Sequence, residues 1–189
     1  MIVRDVRRTP LPVSRQFPPL FALMGAHGGS GAGTLAAMWA PAADSDGQWP
    51  GDPSTTQHVI VVAREHMAGI AAAAEVLRQA DAGQAPAGVQ VHGLVTVAAR
   101  PGKTPKDVRR YAATVAELVP AWWQVGWVDE LISALPADLP MWTPGDPVQI
   151  TRRSGTDLAT VPGAIAQTGL DIVTYFADVR SALTQKENA

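Results

Sequence analysis

The sequence predicts an α/β protein in which a mainly parallel sheet of four to five strands is flanked by helices in three layers. Short apolar runs rich in β-branched residues alternate with segments of helical periodicity along most of the chain. Strands that are apolar on both faces are typical of a parallel sheet covered on both sides. A long helix is expected at the C-terminal end.

The predicted elements follow one another in a regular order. Thr104 and Pro105 provide a capping residue and a first helical position for the third helix. Residues 40–57, rich in Pro, Gly, Asp and Ser, are expected to form a loop with no aspartate-ending strand. The elements are a strand at 20–24, a helix at 34–39, a strand at 58–63, a helix at 67–80, a strand at 89–97, a helix from 104, a strand at 121–127 and a helix at about 160–185.

Two further segments flank the α/β domain, which we assign to residues 19–135. Residues 1–18 form a basic, Pro-rich arm that is expected to be extended, because its prolines prevent a helix. The arm is either a disordered terminus or a surface for an anionic partner; its arginines are Arg4, Arg7, Arg8 and Arg15. Residues 136–159 are a Pro-rich linker that precedes the last helix at 160–185.

One face of the last predicted helix carries apolar and small residues at alternating steps of four and three. This face either docks on the protein's own sheet or forms the seam of a homodimer or a complex with another protein. The residues are Ile165, Gly169, Ile172, Phe176, Val179 and Leu183.

Composition excludes several classes of function. The chain has 189 residues, 47% of them apolar, and a formal net charge of -2, so a nucleic-acid surface covering the whole protein is not expected. It has no cysteine, which excludes thiol catalysis and thiolate metal sites. No apolar run approaches the ~20 residues that span a bilayer, and we expect a cytoplasmic protein.

A glycine-rich loop, residues 25–34 (GAHGGSGAGT), joins the first predicted strand to the first helix. Such a loop turns backbone N–H groups inward, and the following helix adds partial positive charge, so together they can cradle a phosphate. This loop is the candidate site.

The loop resembles the deviant Walker A motif of the MinD and ParA family of P-loop ATPases, whose pattern is roughly GKGGxGKTT. The matching residues are Gly28, Gly29, Gly31 and Thr34, with His27 in place of the signature lysine. The sequence departs from the pattern at the first glycine (Ala26), the phosphate-binding lysine (Ala32) and the magnesium-binding threonine (Gly33). The likeness covers about residues 20–135, and the family would imply a P-loop NTPase-like fold.

The loop is also similar to that of short uncharacterised actinobacterial proteins with a GAHGGAGxxTLA pattern, some encoded among plasmid or conjugation genes. This likeness implies a component of a plasmid- or conjugation-type assembly. Such a component would scaffold other proteins or sense a nucleotide.

The departures from the motif predict a pseudo-ATPase that binds ATP or ADP weakly, with or without Mg²⁺, and has no catalytic residue or dedicated metal site. A charge-assisted hydrogen bond lost with the lysine costs about 1.5–3 kcal/mol, whereas a helix dipole stabilises an anion by about 0.3–1 kcal/mol. Arg64, Arg100, Lys103 or a second subunit could replace the missing charge. The predicted phosphate-binding residues are His27, Gly28, Gly29, Ser30, Gly31, Ala32, Gly33, Thr34 and Arg64.

Two alternatives stay open. The first is an active or slow ATPase of the same fold, with the lysine replaced from elsewhere. The second is an NADP-binding oxidoreductase, because residues 31–36 fit GxGxxG/A, although Arg64 lies farther along the chain than the roughly 20 residues that this fingerprint requires. His27, His58, His66 and His92 have no metal-binding spacing, and Ser30 lacks the second glycine of a nucleophile elbow.

Overall fold

The computed structural model describes residues 3–13, 18–148 and 158–187, and it confirms the predicted α/β class. Residues 14–17 of the predicted arm, including Arg15, and residues 149–157 of the predicted linker lie outside the described residues. The main sheet consists of β2 (Phe21–Gly25), β3 (Ala42–Asp44), β5 (His58–Arg64), β6 (Gln90–Val97) and β7 (Ala121–Val125). These five strands are all parallel, in the order β3-β2-β5-β6-β7.

Helices cover both faces of this sheet. Helices α1 (Ala32–Met38) and α4 (Gly163–Glu187) pack on one face, and α2 (Met67–Asp81) and α3 (Lys106–Ala116) pack on the other. Because successive side chains of a strand point to opposite faces, each central strand contributes to both apolar layers. The three-layer arrangement follows from strands that are buried on both sides.

Residues 40–57 are not a single loop, so that prediction was wrong. Strand β3 pairs in parallel with β2, and β4 (Trp49–Pro50) pairs with the N-terminal strand β1 (Val6–Arg7). The expectation that no strand here ends in aspartate was also wrong, because β3 ends at Asp44. A strand of three residues built from two alanines carries too little apolar periodicity to be recognised.

The basic arm is docked on the fold over its described part, so it is not a disordered terminus there. Strand β1 pairs with β4, the Trp49 amide donates to the Asp5 carbonyl (2.9 Å), and Leu11 is buried. The prolines leave the arm extended, as predicted, and an extended segment can add to an exposed strand edge.

The last helix docks on its own sheet through the first part of the predicted seam. Ile165 and Ile172 are fully buried, and Phe176 stacks on Phe21 with ring centroids 5.5 Å apart. The distal end leaves the core, where Leu183 is 58% exposed. Only this distal part of the predicted seam is accessible to a partner.

The described part of the predicted linker packs against the α/β domain through Trp142. Trp142 is buried, its amide donates to the Met38 carbonyl (2.8 Å), and its carbonyl accepts from the Ala40 amide (3.0 Å). Helix α3 also begins differently from the prediction. It starts at Lys106 after Pro105, and the Thr104 hydroxyl donates to the Glu65 carboxylate instead of capping the helix.

Candidate functional site

The glycine loop lies where the sheet changes direction. From β2 the chain adds β3 on one side, and then returns to add β5 on the other side of β2. The connections that leave β2 and β5 therefore diverge and open a crevice at the carboxyl edge of the sheet. In open parallel sheets this switch point is where ligands bind.

A cleft of about 530 Å³ opens over the loop. All of the predicted loop residues from His27 to Thr34 line it, so the fold brings these candidate residues together. Gly25, at the end of β2, also lines it, and its other walls come from segments distant in sequence, namely Arg4, Asp44, Asp46, Gly47 and Pro136. The volume is adequate for a small polar ligand.

Backbone geometry explains why the loop is rich in glycine. Gly29 and Gly31 have φ values of +76° and +100°, which L side chains rarely adopt. A Cβ atom on Gly25 would lie 2.7 Å from the Ser30 hydroxyl oxygen, so the strand end must also be glycine. Gly31 then leads directly into helix α1.

Ser30 shapes this loop and is not presented as a nucleophile. Its side chain is buried, and its hydroxyl oxygen accepts a hydrogen bond from the Ala32 amide (3.3 Å). This bond satisfies one of the N–H groups at the start of the helix. The remaining exposed part of the loop is formed by Gly28, Gly29 and Gly33.

His27 fastens the loop to strand β5. Its Nδ1 lies 2.8 Å from the Gly28 carbonyl oxygen, and its Nε2 lies 3.2 Å from the Arg64 amide nitrogen. Both ring nitrogens of His27 thus contact backbone groups, one in the loop and one in β5. His27 therefore acts as a clamp between the loop and the strand.

Arg64 approaches the loop from outside the large cleft. Its Nε donates to the Gly29 carbonyl (3.1 Å), and its Nη1 donates to the Ala98 carbonyl (2.8 Å). Burial lowers the pKa of Arg64 from its ordinary value, yet a guanidinium keeps its charge. The side chain lines a second cavity of about 120 Å³ together with Gly31 and Trp127. Arg64 thus braces the loop but does not line the larger cleft.

The two other cations considered from the sequence, Arg100 and Lys103, are both exposed and belong to neither of these cavities. The Arg100 guanidinium lies 3.5 Å from the Lys103 carbonyl oxygen, on the loop after β6. Neither of these two cations therefore lines the cleft over the glycine loop.

The sequence analysis placed Arg4 only in the basic arm and gave no role to Asp44 or Asp46, yet all three line the cleft with the loop. Asp44 Oδ2 lies 2.9 Å from the position that a Cβ atom on Gly33 would occupy. Burial, together with the nearby charge of Asp46, raises the pKa of Asp44 against the effect of its backbone hydrogen bond. The available signal was Asp44 directly after two alanines, with Asp46 two residues farther on.

Within the described ranges, no group of three or more His, Asp or Glu side chains could hold a metal ion by itself. The closest pair of histidines, His58 and His92, is joined by a 2.9 Å ring-nitrogen contact beneath α4, where Phe176 also packs. None of the described helices is sufficiently long and apolar to cross a membrane.

Comparison with known protein families identifies the family of this chain. A protein-family model described as "Family of unknown function (DUF6668)" matches residues 20–133, which include the glycine loop and the strands from β2 to β7. Neither a curated protein nor a solved structure matches the chain at the significance required.

Proposed function

Because the chain belongs to this family of unknown function, DUF6668, we propose its function from the cleft itself: it binds the phosphate groups of a nucleotide. The glycine loop would act as a P-loop-like cradle, similar to that of the MinD and ParA family but lacking its lysine. Bound ATP would be hydrolysed very slowly or not at all.

One observation carries this proposal: the whole segment from His27 to Thr34 lines a single cleft at the switch point of the sheet. Exposed glycines let a ligand approach the backbone closely, and backbone N–H groups are good donors to phosphate oxygens. The bonds made by His27 and Arg64 fix the shape of the loop. A cradle whose shape is fixed reduces the entropy cost of binding.

Ala32 and Gly33 explain why binding would be weak and hydrolysis slow. Neither residue can donate a side-chain hydrogen bond to a phosphate or supply a hydroxyl to Mg²⁺. Rapid phosphoryl transfer needs a cation on the phosphates, a held metal ion and a group that positions water. The loop supplies none of these with its own side chains, so a signalling or scaffolding role in an assembly fits better than turnover.

A slow ATPase is the second candidate, and Asp44 and Asp46 are the observation that favours it. Mg²⁺ in nucleotide sites is typically held by one or two carboxylates together with phosphate oxygens. Both side chains line the cleft opposite the glycine loop, and Asp46 is also paired with Arg7 at 2.6 Å. Asp44 is therefore the residue through which a metal ion would act.

For the assembly role, we propose the distal end of α4 as the partner surface. Its first turns are buried on the sheet, but Leu183 and the neighbouring exposed positions of α4 extend beyond the core. The described part of the basic arm is committed to the fold, so the arm is a weaker candidate for binding a separate anionic partner.

Calorimetric titration with ATP, ADP, pyrophosphate and NADPH, with and without Mg²⁺, tests the proposed function. We expect binding of ATP, ADP and pyrophosphate, and phosphate release from ATP close to the buffer rate. Binding of NADPH alone would favour the oxidoreductase. Phosphate release well above the buffer rate, lost in Asp44→Asn, would favour the slow ATPase.

A charge placed in the loop gives a sharper test. Gly28→Glu has space for its side chain, since nothing lies within 4 Å of a Cβ there, and it adds a negative charge to the cradle. We expect at least about a tenfold loss of affinity for ADP, because like charges a few ångströms apart repel by over 1 kcal/mol near a surface. Ala113→Glu on the exposed face of α3 is the matched control. Equal affinities of the two variants would refute a site in this loop.

A further inference from the structure

The N-terminal segment places a guanidinium at the entrance to the glycine loop. Arg4 lines the same cleft as residues 27–34, and its Nη2 donates to the carbonyl of Ala26, the first residue after β2. Its Nη1 lies 4.0 Å from the position of a Cβ atom on Gly47, which also lines the cleft. The Arg4 guanidinium therefore lies in the cleft, beside the chain that leaves β2.

Backbone contacts hold Arg4 there independently of its side chain. The Arg4 amide donates to Oε1 of the buried Gln79 in α2 (3.2 Å). Two residues farther on, β1 pairs with β4, and the Arg7 carbonyl accepts from the Gly51 amide (2.9 Å). A substitution of the Arg4 side chain would leave this anchoring in place.

Arg4 differs from Arg7, another arginine near the cleft, because it forms no ion pair with a described carboxylate and can bind a ligand. Arg7 is paired with Asp46 (2.6 Å), whereas no carboxylate within the described part of the chain forms an ion pair with Arg4. A guanidinium has five N–H donors, so the bond to Ala26 leaves others for a ligand. Its planar fork also matches the spacing of two phosphate oxygens.

We propose that Arg4 is the phosphate-binding cation of this cleft and supplies from the N-terminal arm the charge that Ala32 does not provide. This inference rests on the proposed function, because it assigns the principal cation of the same site. The ligand is a di- or triphosphate group, carried by a nucleotide or by free pyrophosphate.

The experiment compares ADP and pyrophosphate binding by the wild-type chain, Arg4→Gln, Arg4→Lys and the matched control Arg8→Gln. Arg8 is exposed on the same segment and lies outside the cleft, so its substitution removes the same charge from the arm. Thermal melting of each variant establishes that it is folded. Arg4→Lys retains the charge but loses the planar fork of the guanidinium. If Arg4→Gln is unstable, the affinity of Arg4→Lys is compared with that of the wild type instead.

We expect Arg4→Gln to weaken binding of both ligands about tenfold or more, the effect of losing a charge-assisted hydrogen bond. Arg4→Lys should lose less than Arg4→Gln, and Arg8→Gln should bind like the wild type. Equal affinity of folded Arg4→Gln and wild type would overturn this role while leaving the proposed function standing. Equal losses in Arg4→Gln and Arg8→Gln would overturn it too, as a general charge effect. Absence of binding by the wild type would overturn both.

Discussion

If the proposed function holds, placing the lysine and the threonine of the Walker A pattern at positions 32 and 33 should raise the affinity of the loop for nucleotide. Ala32 is the first residue of α1 and lines the cleft, so Ala32→Lys would extend an ammonium group from the start of the helix into it. At position 33, a Cβ atom would lie 2.9 Å from Asp44 Oδ2. Gly33→Thr would therefore bring a hydroxyl beside the carboxylate, after a small shift of that flexible side-chain end.

The magnitude follows from the interaction that the lysine adds. A hydrogen bond to a charged group contributes about 1.5–3 kcal/mol, which corresponds to about a 10- to 150-fold gain in affinity. We expect the double variant Ala32→Lys/Gly33→Thr to bind ADP·Mg²⁺ more tightly than the wild type by a factor in this range. The threonine should add to this gain only when Mg²⁺ is present, because its hydroxyl acts on the metal ion.

Calorimetry on the wild type, the two single variants and the double variant measures these effects. Ala113→Lys, on the exposed face of α3, adds the same side chain and charge far from the loop. The reasoning is refuted if the folded double variant gains nothing, or if Ala113→Lys gains as much. The first result would mean that the loop has a shape in which residue 32 cannot reach the phosphates.

Two further predictions concern stability. Burial and the neighbouring His58 lower the pKa of His92 to about 4. Between pH 6.5 and pH 4 the unfolded chain therefore binds a proton at this residue that the folded chain does not bind. We expect the free energy of unfolding to fall by about 1–3 kcal/mol as the pH is lowered over this range. Urea denaturation at several pH values checks this, and the slope should flatten in His92→Gln. Gly169→Ala should lower the free energy of unfolding by about 1–3 kcal/mol, since its Cβ atom would lie 2.8 Å from Trp39 Nε1. Gly126→Ala is the control, because a Cβ atom at position 126 has no neighbour within 4 Å.

An unchanged pH slope in His92→Gln would show that other groups cause the acid sensitivity. For the glycine pair, thermal melting is sufficient. Equal midpoints for Gly169→Ala and Gly126→Ala would mean that α4 moves away from the sheet without cost. The indole of Trp39 makes this unexpected, because its Nε1 donates to the Ile165 carbonyl (3.0 Å) and fixes the ring against the helix.

The central elements could be predicted from local sequence to within a few residues. Strand β5 contains a continuous apolar run, β6 is rich in valine, and α2 shows clear helical spacing, so local sequence alone identifies these elements. Strands β1, β3 and β4 contain two or three residues each and were not predicted. Such short strands have no measurable period, and they exist because a partner strand satisfies their backbone groups.

Some features of the candidate site could likewise be predicted from the sequence, and others only from the structure. The sequence by itself determined the glycine loop, its place between a buried strand and a helix, and the absence of a lysine at Ala32. Only the tertiary structure brought Arg4 and Asp44 to that loop, and only it showed that Arg64 braces the loop from outside the cleft. The physical reason is that a loop's conformation depends on its own glycines, whereas the charges around it arrive through strand pairings between distant segments.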